Sequence, residues 1–335
     1  MTTMTAFPLA DPDLADRLTV RLALVEERLR DAVTNVDPLA DDASRHLVNA
    51  GGKRLRPLLT LLAAELGDGS RREVVDAAVV VELTHLATLY HDDVMDSAPL
   101  RRGAPAAHEV WGNSVAILTG DLLFARASAT VAGLGPDAVR IQAATFERLC
   151  LGQLHETVGP RPEDDRVSHY LQVLADKTAS LIATSARFGA MFAGCAPDVV
   201  ATVTGFGEKI GVAFQLADDV IDLTSDGDVT GKTPGTDLRE RVPTMPALLL
   251  RAHAAGPDGT DEDRRVVALL DGDLSGDADL ATAVAALRGH AVVDETRRRA
   301  VTLAQAAVRE LEPLPAGPVK DALVSFADAL VDRAA

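Results

Sequence analysis

Residues 72–96 read REVVDAAVVVELTHLATLYHDDVMD, and this stretch decides the fold class. The part before Asp92 is rich in Val, Leu and Ala and is apolar almost all round a helix, a pattern typical of a helix buried in a core. The stretch ends in an acidic cluster, Asp92-Asp93-Val94-Met95-Asp96. We therefore predict a long central helix over residues 72–95 that carries several carboxylates at its C-terminal end.

Helical periodicity continues on both sides of this stretch. Asp11 and Pro12 predict the start of the first helix, because Asp caps helix N-termini and Pro suits the first turn. No convincing period of two occurs, so we predict an all-α fold, a single domain over residues 1–335 with a flexible N-terminus over 1–12. The other predicted helices cover 56–66, 114–131, 137–154, 167–193, 197–223, a segment opened by Pro243 and Pro246 and ending at Ala255, and two or three segments in 281–335, with loops at 97–112, 224–236 and 256–263.

The bulk composition narrows the function and the compartment. A net charge of −17 repels nucleic acid phosphates, so we expect no nucleic acid partner. Cys150 and Cys195 are far apart and lack metal-ligand spacing, so we expect two buried thiols in a reducing cytoplasm. No signal peptide is visible, and no run of 18 apolar residues occurs, so no transmembrane helix is expected. The sequence leaves peripheral membrane contact open.

A second acidic cluster, Asp218-Asp219-Val220-Ile221-Asp222, repeats the spacing of the first. Positions i and i+4 of a helix lie on one face, so the outer aspartates of each cluster project together. Neighbouring carboxylates repel one another, and the helix dipole disfavours negative charge at a helix C-terminus. Both clusters therefore need a compensating positive charge. Mg²⁺ is typically held by a few carboxylates plus substrate phosphates, which makes it the natural compensation.

The clusters have two other interpretations. A solvated acidic helix end would account for one cluster, but two matched clusters that each follow a buried helix argue against it. A calcium loop would need a 12-residue pattern with a central glycine, and neither cluster has one.

Basic residues occur where a diphosphate would need them. The run Gly51-Gly52-Lys53-Arg54-Leu55-Arg56-Pro57 places three cations on a turn opened by two glycines, which let backbone approach a ligand closely. Arg101-Arg102-Gly103 follows the first cluster, and Lys177-Thr178 and Lys232 add further donors. Arg binds phosphate through a planar fork and Lys as a point charge. A surface salt bridge would explain any one of them, so the hypothesis of a diphosphate site depends on their joint arrangement.

Together these motifs resemble the trans-type isoprenyl diphosphate synthases, also called polyprenyl synthetases. The resemblance is strong over residues 47–246. The segments that carry it are 51–57, 85–96, 101–103, 120–124, 152–153, 177–179, 214–222, 231–232 and 237–240.

The resemblance implies a helical bundle of the isoprenoid synthase type, with a deep central cavity and the two acidic motifs facing each other across its mouth. It implies Mg²⁺ as the cofactor and an allylic diphosphate and isopentenyl diphosphate as substrates. The implied metal ligands are Asp92, Asp93, Asp96, Asp218, Asp219 and Asp222; the implied diphosphate-binding residues are Lys53, Arg56, His85, Arg101 and Arg102; and the implied catalytic residues at the reacting end are Lys177, Thr178, Gln215 and Lys232.

The implied reaction is a head-to-tail trans condensation. The allylic diphosphate ionises while Mg²⁺ balances the charge, the double bond of isopentenyl diphosphate attacks the allylic cation, and a proton is lost. Members of the family commonly form homodimers, so we expect a homodimer. The chain departs from the family at Arg241-Val242, where many members have Gly-Lys, and no role is assigned to Arg241.

Product length is predicted from side chains before the first motif. Short-chain synthases often carry an aromatic residue at one of two positions, which here are Ala87 and Thr88. These small side chains, with Thr84 and Val80 below them, predict a long product, about C35 to C50 by family analogy, of the kind found on respiratory quinones. Tyr90 is the exception, because its ring would shorten the cavity if it pointed inwards.

Three rival functions remain. A shorter-chain enzyme such as geranylgeranyl diphosphate synthase would differ only in cavity depth. A non-catalytic subunit of a heteromeric synthase would tend to lose aspartates, and a terpene cyclase would usually replace the second motif. This chain keeps all six aspartates together with Lys53, Arg56 and His85.

Overall fold

The computed structural model describes residues 10–224 and 234–331, and this part of the chain is almost entirely helical. This confirms the predicted all-α class. The elements are α1 (Pro12–Ala32), α2 (Pro38–Asn49), α3 (Leu55–Ala64), α4 (Arg72–Met95), β1 (Leu100–Arg101), β2 (Ala104–Pro105), α5 (Ala107–Trp111), α6 (Asn113–Ala132), α7 (Pro136–Val158), α8 (Arg166–Leu174), a π turn (Ala175–Ala179), α9 (Ser180–Phe192), α10 (Pro197–Thr224), α11 (Thr236–Arg239), α12 (Met245–Ala255), α13 (Asp261–Asp271), α14 (Asp277–Arg288), α15 (Ala291–Glu310) and α16 (Pro318–Val331).

Contacts between residues group the chain into two compact units, each assembled from separate stretches of sequence. Of the described residues, the first unit comprises 10–148, 180–207 and 310–325. The second comprises 149–179, 208–224, 234–309 and 326–331. That the whole chain forms one domain over 1–335 stays a prediction.

Helix α4 lies in the core of the first unit and packs against α1, α3, α6 and α9. Its side chains are buried on every side, and Val80, Leu83 and Leu86 are 0% exposed. Burial all round is the physical reason for its uniformly apolar sequence. The predicted central helix over 72–95 is confirmed in place and in length.

Proline and a capping aspartate open the first two helices. Asp11 accepts a hydrogen bond from the Leu14 amide, which confirms the predicted N-cap of α1. The same arrangement, Asp37 followed by Pro38, opens α2, a helix that was not predicted. Residues 1–9 of the predicted flexible N-terminus lie outside the described residues. Its last residues, Asp11 and Pro12, form the ordered start of α1.

Two predicted loops contain regular structure. Residues 97–112 hold the hairpin β1–β2 and the short helix α5. The hairpin forms because Arg102 and Gly103 make a two-residue turn that brings the strands together. In the second unit, Thr260 and Asp263 form a reciprocal capping box. This box starts α13 at Asp261, inside the predicted loop 256–263. The predicted loop 224–236 falls largely on 225–233, outside the described residues.

The cysteine prediction was wrong in part. Both thiols were predicted to be buried, but Cys150 is exposed and Cys195 is half-buried. Cys150 lies on the exposed face of α7. An isolated cysteine gives no sequence signal for which face of its helix it occupies, so its exposure was not predictable.

Two helices, α4 and α6, are long and apolar enough to cross a membrane by length and composition alone. Within the most apolar window of α4, 72% of the residues are buried inside the fold, as expected of a core helix. The corresponding share in α6 is 33%, so this helix exposes much of its apolar surface.

Candidate active site

The glycine-opened turn before α3 is shaped by close contact with an arginine. Gly51 and Gly52 both have positive φ, 82° and 140°. A Cβ atom at Gly52 would lie 2.8 Å from the guanidinium carbon of Arg102. Arg102 donates hydrogen bonds to the carbonyl oxygens of Gly51 and, at 3.1 Å, of Leu47. The predicted substrate-binding turn and Arg102 are therefore one packed assembly.

Arg101 and Arg102 are presented by the β1–β2 hairpin. Arg101 pairs with Ala104, and the two central turn residues, Arg102 and Gly103, have φ of 55° and 78°. Positive φ at both positions marks a type I′ turn, which is strained for a residue with a side chain. The next strand is tied to α2, where His46 Nε2 lies 2.7 Å from the Pro105 carbonyl oxygen.

His46 also contacts the tryptophan that follows the hairpin. The ring of His46 meets the ring of Trp111 edge-on, with a centroid distance of 5.1 Å. The hairpin is thus fixed to α2 through its backbone and through the helix that follows it. This fixed platform determines where Arg101 and Arg102 present their charges.

Arg54 is the buried member of the basic turn. Its side chain is 4% exposed and pairs with Glu26 on α1 and with Glu82 on α4, at 2.5 and 2.9 Å. It also donates to the Val48 carbonyl oxygen at 3.1 Å, and its own φ is 50°. Arg54 therefore fixes the backbone between its neighbours Lys53, which is exposed, and Arg56.

The positive charges of four arginines act on His85 of α4. Burial lowers the pKa of His85 well below its usual range, and the neighbouring guanidinium charges lower it further. Burial also lowers the pKa of Arg56 to about 10, which leaves it charged at neutral pH. The Nε atom of Arg56 is buried and has no hydrogen-bond partner among the described residues. The other arginines near His85 are Arg102, Arg101 and Arg54.

The first acidic motif separates into outer and middle carboxylates. Asp93 is 0% exposed, and one of its oxygens accepts a 2.5 Å hydrogen bond from Arg101. Burial raises the pKa of Asp93, while the charge of Arg101 opposes the rise. Asp92 is half-buried and Asp96 is exposed. Asp92 and Asp96, one turn apart, are therefore the carboxylates of this motif that reach the surface.

The second acidic motif has the same division. Asp219 on α10 is 4% exposed, and both of its oxygens lie within hydrogen-bond distance of the Tyr170 hydroxyl, at 2.9 and 2.8 Å. Its Oδ2 also accepts from the Met245 amide at 2.9 Å. Burial raises the pKa of Asp219 well above its usual range. Asp218 and Asp222 are half-buried.

Lys177 and Thr178 lie on the π turn that follows α8. The prediction of one continuous helix over 167–193 was wrong here, because this turn interrupts it. The ammonium group of Lys177 pairs with Glu156 on α7. Gly152 lets the backbone of the π turn lie close to α7, since a Cβ atom at Gly152 would lie 2.5 Å from the Lys177 amide nitrogen. π turns are common at functional sites.

The predicted site residues fall into two groups. In the first unit the basic turn, His85, the hairpin arginines and the first motif lie together. In the second unit Gln215 precedes Asp218 by three residues on α10 and is half-buried. Lys232 lies outside the described residues. The first group is the basic one, and the second holds the π turn with its lysine and threonine.

The donor chemistry of both motifs fits Mg²⁺. Within the described residues, no group of three or more His, Cys, Asp or Glu side chains could hold a metal by itself. Each motif instead offers a pair of outer carboxylates one helical turn apart, while its middle carboxylate contacts protein groups. Mg²⁺ typically takes one or two carboxylates and completes its shell with phosphate oxygens and water. The arrangement therefore fits a metal ion that binds together with a diphosphate.

Sequence reasoning missed two residues of this site. Arg54 belongs to the basic motif, but local sequence does not indicate its role, since its partners Glu26 and Glu82 are 28 residues away on either side. Tyr170 is not among the predicted site residues, although it is one of only two tyrosines and precedes Lys177 by seven residues, two helical turns. This spacing is the sequence signal that could have placed Tyr170 near Lys177.

The sequence model of the polyprenyl synthetase family matches residues 37–286. The chain belongs to the polyprenyl synthetase family. Like the other members, it is a prenyltransferase. The match covers both acidic motifs, the basic turn and the hairpin. It also covers the π turn, so every described site residue belongs to the family segment.

Individual polyprenyl synthetases resemble the chain over nearly its full length. The nonaprenyl diphosphate synthase of Mycobacterium tuberculosis is 43% identical over 99% of this chain and 98% of its own. A crystal structure of geranylgeranyl pyrophosphate synthase from Corynebacterium glutamicum, complexed with calcium and isoprenyl diphosphate, is 40% identical with a TM-score of 0.85, covering 97% and 99% of the two chains. A decaprenyl diphosphate synthase from Rhodobacter capsulatus is 32% identical with a TM-score of 0.86, covering 96% and 99%.

Proposed function

We propose that the chain is a Mg²⁺-dependent synthase that adds isopentenyl diphosphate units to an allylic diphosphate, head to tail and in trans, to give a polyprenyl diphosphate of about C35 to C50. The observation that carries the proposal is the packing of the basic turn against the hairpin, where Arg102 donates to the Gly51 carbonyl oxygen and Arg101 donates to Asp93 of the first acidic motif. Cationic side chains beside a carboxylate pair suit a diphosphate and its metal ion. A cytoplasmic location and use of the product as a quinone side chain belong to the same proposal.

The first unit supplies the diphosphate contacts. Arg56 remains charged, and its Nε is buried without a hydrogen-bond partner among the described residues, so it has a donor to offer a phosphate oxygen. His85 is held neutral and offers one N–H without adding charge. Lys53 is exposed at the end of the turn. These residues bind and orient the isopentenyl diphosphate, while Arg101 is directed to the allylic diphosphate.

The carboxylates hold the metal in this proposal. Asp92 and Asp96 would bind Mg²⁺ in the first unit, and Asp218 and Asp222 would bind it in the second. When bound, Mg²⁺ supplies positive charge that stabilises the departing diphosphate. Lys177 and Thr178 orient the leaving group from the π turn, and buried apolar residues exclude water that would react with the allylic cation.

A long product is supported by the residues before the first motif. Ala87 is 0% exposed and no aromatic ring stands at its position or at Thr88. Tyr90 does not crowd this side, because its hydroxyl donates to the Ala43 carbonyl oxygen at 2.5 Å and accepts from the Leu47 amide. Both partners lie on α2, so the ring is directed to that helix.

A shorter-chain synthase is the second candidate, and one contact favours it. Gln142 on α7 donates to the hydroxyl of Thr84 at 2.6 Å. Thr84 lies one helical turn before Thr88, so Gln142 occupies space beside the predicted path of the growing chain. A cavity that ends at this pair would stop elongation early.

We further propose a homodimer that uses the apolar surface of α6. Ile117 and Leu118 are 42% and 65% exposed although both are large and apolar. A second copy of the chain is the partner that the family favours for such a surface. Analytical ultracentrifugation should give twice the chain mass for the wild type, and Leu118→Glu should give the mass of one chain.

The proposed reaction is tested with purified protein, Mg²⁺, farnesyl diphosphate and labelled isopentenyl diphosphate, with products separated by chain length. A ladder that ends near C40 to C50 supports the long-chain synthase, because it falls within the product length of about C35 to C50 expected by family analogy. A stop near C20 supports the second candidate. No incorporation with farnesyl, geranyl or dimethylallyl diphosphate would contradict the proposal.

Matched variants connect the activity to the motif. Asp92→Asn should abolish incorporation, because it removes a metal-binding charge at the surface of the first motif. Asp16→Asn removes an equal charge from an exposed position on α1 and should leave incorporation unchanged.

A further inference from the structure

Tyr170 joins three elements of the second unit at one buried point. Its side chain lies on α8 and is 7% exposed, and its hydroxyl lies 2.9 and 2.8 Å from the two oxygens of Asp219 on α10. Asp219 also accepts from the amide of Met245, the first residue of α12. The middle carboxylate of the second motif is therefore occupied by protein donors from α8 and α12.

A second close contact joins the same two helical segments. A Cβ atom at Gly211 of α10 would lie 2.5 Å from Cα of Ala179, the last residue of the π turn. Tyr170 with Asp219, and Ala179 with Gly211, are thus two fixed points along an antiparallel pair of segments. The π turn with Lys177 lies between them.

The two fixed points are separated by unequal numbers of residues. Eight residues of α10 separate Gly211 from Asp219, which is about 12 Å of α-helix. Nine residues separate Tyr170 from Ala179, and an uninterrupted α-helix of that length would be about 1.5 Å longer. A π turn accommodates an extra residue in a helix, so it brings both ends into register.

We infer that Tyr170 is a positioning residue whose hydroxyl, by holding Asp219, maintains the π turn and so sets the location of Lys177 and Thr178. Its catalytic consequence rests on the proposed function, since it matters only if these two residues orient the diphosphate. Asp219 accordingly acts as an anchor for α8 and α12, and the metal-binding work of the motif falls to its outer aspartates.

Tyr170→Phe tests the inference because it keeps the ring and removes only the hydroxyl. The first readout is amide hydrogen–deuterium exchange of residues 175–179 in protein without metal or substrate. We expect exchange at least tenfold faster than in the wild type. The second readout is kinetic: kcat should fall about tenfold and the Mg²⁺ concentration for half-maximal rate should rise, while KM for isopentenyl diphosphate changes less than twofold.

The chain offers a matched control in its other tyrosine. Tyr90 is also buried and also loses two hydrogen bonds on substitution by Phe. Tyr90→Phe lies in the first unit and should leave exchange over residues 175–179 and the Mg²⁺ dependence unchanged. Equal exchange in the wild type and in Tyr170→Phe, or equal effects of the two variants, would overturn the inference.

A second pair of variants tests the role given to Asp219. Asp219→Asn retains a carbonyl oxygen that accepts from Tyr170, so its Mg²⁺ dependence should stay close to that of the wild type. Asp218→Asn should weaken it strongly. The opposite order would overturn the inference. A wild type that transfers no prenyl group would contradict the proposed function alone, and the exchange measurement would still decide the role of Tyr170.

Discussion

Arg54 and Glu82 form a buried ion pair, with the Arg54 guanidinium donating to the Glu82 carboxylate at 2.9 Å. The two side chains are 4% and 2% exposed. A charge buried to this degree is tolerated only when it is paired and hydrogen-bonded. The pair thus joins the turn that holds Lys53 and Arg56 to the helix that ends in the first acidic motif.

Glu82→Gln should destabilise the protein by about 3 kcal/mol, because it leaves the Arg54 charge buried with less compensation. The free energy of unfolding in urea measures this. KM for isopentenyl diphosphate should rise as well, since the turn beside Lys53 loses a support. Glu26→Gln is the control: its side chain is 24% exposed, so its loss should be smaller. Equal stability of Glu82→Gln and the wild type would contradict the ion-pair argument.

Ala87→Phe should shorten the product by several isoprene units, because the ring would project from the position one turn before the first motif, where the proposal places the growing chain. Chromatography of the labelled products measures the change. Overpacking a buried position also costs about 1–3 kcal/mol, so stability alone is not informative. Ala63→Phe, at a buried position on α3, controls for this cost and should leave product length unchanged. An unchanged product in Ala87→Phe would refute the cavity prediction.

Acid should destabilise the protein in part through His85. The pKa of His85 is lowered in the folded protein, so below the ordinary value of about 6.5 the unfolded chain binds a proton that the folded protein does not. Stability therefore rises with pH through this range and is lost as the pH falls below it. The change in melting temperature between pH 7.5 and pH 5.5 should be smaller in His85→Gln than in the wild type. Identical changes would mean that His85 is not the responsible group.

Arg241 is held in a conformation that favours glycine. Its φ is 58°, it is exposed, and its guanidinium donates to the Gly272 carbonyl oxygen at 3.1 Å. Arg241→Gly should therefore raise the free energy of unfolding by about 0.5–1 kcal/mol. Arg241→Ala, which keeps the strain and loses the hydrogen bond, should lower it. Both variants should keep full activity, and a large loss of activity would show that Arg241 replaces the missing lysine.

The helices were predictable where burial imposes a pattern. Residues 72–95 were placed correctly because a helix buried on all sides must be apolar throughout. The helix over 38–49 was missed, although Asp37 and Pro38 repeat the signal that was recognised at Asp11 and Pro12. The start at Asp261 was missed in the same way, since the polar first turn of this helix has the composition of a loop.

The candidate site was predictable to the level of motifs but not of individual roles. Helix geometry alone places Asp92 and Asp96 on one face of α4. It does not indicate which part of the protein the side chain of Asp93 contacts. That depends on Arg101 and on the bend of the hairpin, which local sequence does not encode. The partnership of Tyr170 with Asp219 spans 49 residues, and only packing of α8 against α10 brings the two together.

The edge-on contact between His46 and Trp111 has a spectroscopic consequence. Trp111 is the single tryptophan of the chain, so all of its indole emission comes from the end of α5, the helix that follows the hairpin with Arg101 and Arg102. An imidazole against the indole makes that emission sensitive to any shift of the hairpin relative to α2. The protein thus contains its own fluorescent reporter beside the basic turn and the hairpin, and the proposed diphosphate binding should change this emission without a label.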